Sequence, residues 1–371
     1  MRSFFGLLGG KPDAKGALKD LLTGLAAAEG RGGGVTDAVW EQVASSKDLE
    51  DVIEEELPRE KLVVLASSNP VNVAGLLERC VETIEGVLDK GMPNKDKLDE
   101  KTEILLANAA VVLTHVLAAG PSATGAASPE SGVTQADGAE HQVLRLLWDE
   151  NPTRKGALLG ERATDAAMRM LFVDGFTVDL GAADADEKEG EESKDAKELV
   201  GGVEPAALWQ EGVGPEGGPE KSDDDVRLNR QMVLQMLVAI LCGGAPASPP
   251  KVEDPEAATA SKSDKMAAAV KLAEEASRPL VPDWRATAYL CDPTRTVPRR
   301  GELLYSLLSV ALGYDPHGFG LPYGGYFSGS KEEAFCQLCL QVLGLLLQSG
   351  AGGDVAWPAG PTALYARKPQ E

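Results

Sequence analysis

At 371 residues and 43% hydrophobic side chains, the chain can bury the core of two or three domains or of one elongated array, yet 41 glycines and 23 prolines mark much of it as connector. Its 36 basic and 58 acidic residues leave a net charge of −22, which excludes a general nucleic-acid binder, since that needs a basic face to neutralise phosphates. Five cysteines, odd in number and scattered at 80, 242, 291, 336 and 339, fit reduced thiols in the cytosol rather than a disulfide framework, and no apolar run reaches the roughly 18 residues of a membrane span.

In chain order, Met1 to Gly10 is too short and too glycine-broken for a secretory signal and reads as a frayed tail. It begins a flexible N-terminal stretch, 1–34, with one short helix: Asp13 caps a run through Ala28 in which Leu18, Leu21, Leu22 and Leu25 share a face. Residues 35–119 form the first part of a helical array. Thr36 or Asp37 caps a run holding Val39, Trp40 and Val43, Ser46 to Ile53 is amphipathic and acidic, and Pro58 opens Leu62–Ala66. Val73, Leu76, Leu77, Cys80, Val81, Ile84, Val87 and Leu88 keep a helical period, as do Ile104, Leu105, Ala109, Val112, Leu113, Val116 and Leu117. His115 lies in the second of these with no partner at ligand spacing, so it reads as a satisfied core or flank histidine rather than a metal ligand.

Residues 120–139, rich in Pro, Ser, Ala, Gly and Thr, are expected to be a disordered insert. Short helices return over 140–180, with Val143, Leu144, Leu147 and Trp148 on one face and Arg162–Phe172 as another amphipathic piece; Phe172–Val178 alone alternates like a strand. Residues 181–225 read as an acidic disordered linker, because eight acids against three lysines between Gly181 and Glu198 repel one another. The array resumes over 226–350. Val226–Cys242 becomes apolar nearly all round from Met232, so it should lie centrally among neighbours. A disordered insert, 245–264, and a short polar helix, Lys265–Glu275, follow, and Pro279, Pro282 and Trp284 begin an extended approach to the next helix. Two leucine-rich helices, Glu302–Leu312 and Glu332–Leu347, then flank an aromatic and proline-rich loop, 313–330, expected to fold over the ends of both. In the first, Leu303, Leu304, Leu307, Leu308 and Leu312 fall on one broad stripe. The tail 351–371 loses all periodicity and is expected to be disordered. Repeated amphipathic helices without strands give an all-α class, and their density suggests an α-solenoid, although no clean repeat period appears.

The search for chemistry is thin. There is no GxxxxGK[ST] loop, no HExxH and no GxSxG elbow, and loop glycines 318, 320 and 324 miss the dinucleotide spacing. Cys336-x-x-Cys339 sits in a helix among leucines with no second pair to complete a zinc or redox site. Asp315, next to Pro316 and His317, is explained as a turn former. No catalytic residue, cofactor or metal is assigned. A rival reading, a small hydrolase or redox enzyme, would use Asp315, His317, Cys336 and Cys339.

The leucine-rich helix followed by Tyr314-Asp315-Pro316-x-Gly318-Phe319-Gly320-Leu321-Pro322-Tyr323 and another helix resembles the high-temperature-induced dauer-formation (Hid) proteins, relatives of dymeclin. Leu208-Trp209-Gln210-Glu211-Gly212-Val213-Gly214, the run Asn229-Arg230-Gln231-Met232-Val233-Leu234-Gln235-Met236-Leu237, and Phe172 to Val178 fit in the same order, so the resemblance spans roughly 35–348 and rests mainly on the last third. It implies an armadillo/HEAT-like stack and a non-catalytic scaffold or adaptor, cytoplasmic and peripheral on Golgi membranes, acting with other trafficking proteins in secretory vesicle formation or cargo sorting. On that view Trp209, Asn229, Arg230, Tyr314, Asp315, Pro316, Gly318, Phe319, Gly320, Pro322 and Tyr323 are structural clasps between helices or a partner-binding surface; aromatic and proline residues in such loops usually bury, which favours clasps. Family members typically begin Met-Gly, as N-myristoylation requires, whereas this chain has Arg2, so that lipid anchor does not carry over. They are also about twice as long, and a solenoid ending near Gly350 is expected to expose the apolar flank of its last helix.

Overall fold

The structure, a computed structural model, describes residues 13–27, 34–90, 98–119, 142–148, 157–178, 209, 224–242, 284–313 and 330–348. Twelve helices carry most of these residues, and among the described residues there is no strand, so the class is all-α. The segments 120–139, 245–264, 265–275 and 351–371, most of the 181–225 linker and the 313–330 loop beyond its helical ends lie outside the described residues.

The helix starts follow local chemistry. Asp13 accepts a hydrogen bond from the Lys15 N–H at 3.2 Å and opens α1 (Ala14–Ala26), whose Leu18, Leu21 and Leu25 are fully buried. Thr36 accepts from the Val39 N–H at 3.4 Å and opens α2 (Asp37–Ala44). The expected Ser46–Ile53 helix starts later, as α3 (Leu49–Glu56), because Asp48 takes a left-handed φ of 60° and the buried Ser46 hydroxyl donates back to the Gln42 carbonyl. Pro58 precedes α4 (Arg59–Ser68), and Pro70 is the first residue of α5 (Pro70–Leu88), where a missing N–H costs nothing. Then come α6 (Glu100–Leu117), α7 (Gln142–Trp148), α8 (Leu159–Met170), α9 (Asp224–Cys242), α10 (Trp284–Cys291), α11 (Arg300–Gly313) and α12 (Ser330–Gln348).

Three expectations are corrected. Trp284 begins a helix rather than an extended approach: Ala286, Thr287, Leu290 and Cys291 are buried at i, i+1, i+4 and i+5, a stripe too short to stand out beside two prolines. Phe172–Val178 is a closed turn, not a strand; Gly175 has φ 74°, its N–H donates to the Val178 carbonyl at 2.8 Å, and one isolated bridge joins Asp174 to Val178. On α11 the buried stripe is Leu303, Ser306, Leu307 and Val310, at i, i+3, i+4 and i+7, which leaves Leu308 and Leu312 exposed.

The helices associate in two rows. α5, α8 and α10 follow one another in the first, and α6, α9 and α12 in the second. α5 packs on α6, α8 on α9, and α10 on both α9 and α12, while α11 lies on α12. At the start α1 rests on α2 and α3, which both contact α6. The second row is buried most: α9 is fully buried at Val233, Leu234 and from Met236 to Leu241, as its lack of a polar face requires. Leu340 and Leu347 of α12 are exposed, an apolar flank of the kind expected on the last helix.

Candidate functional site

Trp209 lies where α8, α9, α11 and α12 converge. The turn after α8 supplies the Leu171 carbonyl, which accepts the indole N–H at 3.1 Å, and Phe172, stacked with ring centroids 5.9 Å apart. Phe335 of α12 meets the indole at the same separation, tilted by 42°. The Arg230 guanidinium of α9 sits 5.5 Å from the ring centroid, and the Trp209 backbone N–H donates to the Ser306 hydroxyl of α11 at 3.2 Å. The residue is 1% exposed, with both of its N–H groups satisfied.

Asn229 and Arg230 close the turn beneath it. The Asn229 amide donates to the Phe176 carbonyl at 3.1 Å and to Glu103 of α6 at 3.2 Å, while Arg230 Nε donates to the Thr177 carbonyl at 2.5 Å. The buried Thr177 hydroxyl donates to the Met170 carbonyl at 2.6 Å and accepts from the Val173 N–H at 3.0 Å. Trp209, Asn229 and Arg230, singled out in the sequence, are thus brought together around the 171–178 turn. Tyr314, Asp315, Pro316, Gly318, Phe319, Gly320, Pro322 and Tyr323, and the rival's His317, lie outside the described residues.

The same device recurs where the sequence showed nothing. The Asn72 amide of α5 donates to the carbonyls of Leu25 and Ala27 at the end of α1, and Asn69 joins it on Leu25. Asn108 of α6 donates to Val43, Ala44 and Ser46 at the end of α2, and His115 of α6 places Nε2 2.6 Å from the Leu57 carbonyl, the cap of α3. Arg300 donates to Asp292 and Arg295 past the end of α10. A helix leaves its last carbonyls without internal partners, and these ends are closed by side chains from distant helices. A lone Asn among apolar residues at helical spacing was the available signal.

Between α8 and α10 the Tyr289 hydroxyl donates to Asp165, 3.0 Å from each carboxylate oxygen. Burial raises the Asp165 carboxyl above its usual range, and burial followed by the Asp165 charge raises the phenol. Arg295 covers the Tyr289 ring and pairs with Glu161 at 3.2 Å. Cys336 and Cys339 both face the buried side of α12, and burial, with Glu333 adding, pushes the Cys336 thiol up, away from the thiolate a redox centre uses. Among the described residues no three His, Cys, Asp or Glu side chains gather as a metal site, and no described helix is long and apolar enough to cross a membrane. No family model, curated protein or solved structure matches the chain. The fold and this site define an all-α protein whose helix ends are tied together across the sequence.

Proposed function

We propose that the protein is a non-catalytic scaffold or adaptor of intracellular membrane traffic, cytoplasmic and peripheral on Golgi membranes, that presents an armadillo/HEAT-like α-solenoid to other trafficking proteins. The observation that carries this reading is the pair of rows, α5–α8–α10 and α6–α9–α12, in which each helix covers the apolar face of the one before it. Such an array is built to offer an extended surface. The polar groups gathered inside it, Asn72, Asn108, His115, Asn229 and Arg230, point their donors at backbone carbonyls, which supports a holding role over a reactive one. The assignment to secretory vesicle formation or cargo sorting rests on the resemblance of Trp209, Asn229–Leu237 and Tyr314–Tyr323 to Hid proteins.

Fractionation of cells expressing the tagged chain tests it. Co-migration with Golgi membranes, released by high salt or carbonate without detergent, is the expected result; a purely soluble distribution, with or without an added Met-Gly start, sinks the Golgi assignment.

A further inference from the structure

We propose that α8, α9, α11 and α12 build an indole-recognition socket, which Trp209 fills in cis and which a tryptophan-bearing peptide can fill in trans. Trp209 is gripped by groups remote from it in sequence, on both sides: Leu171 lies 38 residues before it and Ser306 lies 97 after it. Its ring meets Phe172, Phe335 and a guanidinium, and its N–H meets a carbonyl. That set separates tryptophan from the other aromatics. Phenylalanine would leave the Leu171 carbonyl at the end of α8 without the indole donor, and tyrosine would bring an oxygen to a place that offers an acceptor at a different reach.

The socket does not depend on its occupant. Arg230, 4% exposed, is fixed by the Thr177 carbonyl; the 171–178 turn is fixed by the Thr177 hydroxyl and by Asn229; and Phe335 and Ser306 are placed by the packing of α12 on α9 and of α11 on α12. Removing the indole therefore leaves a shaped site with an aromatic wall, a cation and an acceptor, the composition of a ligand pocket. The inference stands apart from any role in membrane traffic.

The test uses the full chain carrying Trp209→Gly, with indole, 1-methylindole and a peptide of residues 205–213 as probes. Indole is expected to raise the melting temperature of W209G with the logarithm of its concentration. 1-Methylindole, which cannot donate, is expected to bind about fivefold to tenfold more weakly. The peptide is expected to bind W209G but not the wild-type chain, whose socket is full. If W209G is unfolded alone, helix recovered on adding indole gives the same support. The proposal is overturned by equal affinity for 1-methylindole, by equal peptide affinity for the wild-type chain, or by no response of W209G to any probe while Trp209→Phe melts cooperatively.

Discussion

His115 Nε2 lies 2.6 Å from the carbonyl oxygen of Leu57, so a histidine of α6 finishes α3 58 residues earlier in the chain. Burial is the main reason its pKa falls below 6.5; the Leu57 carbonyl opposes that shift, the nearby Arg59 adds to it and Glu54 opposes it. The folded state therefore favours the neutral ring, and the unfolded chain takes up a proton first as the pH drops. The contribution of His115 should be whole above the unfolded value of 6.5 and shrink as pH falls from there toward the depressed folded value. Urea melts at pH 7.5 and 5.5 should show a loss that His115→Gln, which keeps a donor without titrating, reduces. An equal loss in both chains would remove His115 as the cause.

Asn108 places one amide nitrogen 3.3, 3.0 and 2.7 Å from the carbonyl oxygens of Val43, Ala44 and Ser46. Asn108→Leu should destabilise the protein by about 2–3 kcal/mol, since it strands buried acceptors in place of one satisfied donor group. Hydrogen exchange should quicken first at the end of α2. A chemical melt within 0.5 kcal/mol of wild type, flagged as roughly the noise of a surface change, would contradict this.

Gly160 leaves room for the Trp148 ring, and a Cβ built there falls inside contact with the six-membered ring at Cε2, Cδ2 and Cζ2. Gly160→Ala should cost about 1–3 kcal/mol by forcing α7 off α8. Adding Trp148→Leu should recover part of that loss. A neutral G160A would mean that the ring shifts freely.

Cys80, Cys242, Cys291, Cys336 and Cys339 are all buried free thiols. Burial drives the Cys80 thiol far up and raises Cys336 as well. Iodoacetamide should label the native chain at pH 7.5 no faster than the chain opens, and all five sites should react in denaturant. Fast native labelling of Cys336 or Cys339 would revive the redox reading of the Cys-x-x-Cys pair.

How much of this was legible in the sequence follows from the range of the forces involved. The caps at Asp13 and Thr36, the stripe on α5 and the buried run of α9 are local patterns and were read from residue spacing. On α11 the leucines outnumbered the places to bury them, and the serine at 306, which side-chain hydropathy assigns to solvent, took a core position because Trp209 donates to it. The 172–178 stretch alternates like a strand but is bent by a left-handed glycine and tied by Asn229 and Arg230, partners more than 50 residues away. Trp209, Asn229 and Arg230 could be picked out, but not their meeting, because nothing in their spacing encodes it.

The side-chain closure of α1, α2 and α3 also has a bearing on synthesis. The last carbonyls of α1 wait for Asn69 and Asn72, 44 to 47 residues downstream, and those of α2 and α3 wait for Asn108 and His115, 62 to 65 and 58 downstream. At a translation rate of roughly 5–20 residues per second, each early helix leaves the ribosome with an unfinished end and stays so for several seconds. The first quarter of the chain is therefore a nascent intermediate that only its successors complete, and stalling just before α6 emerges should leave those helices frayed and open to proteases.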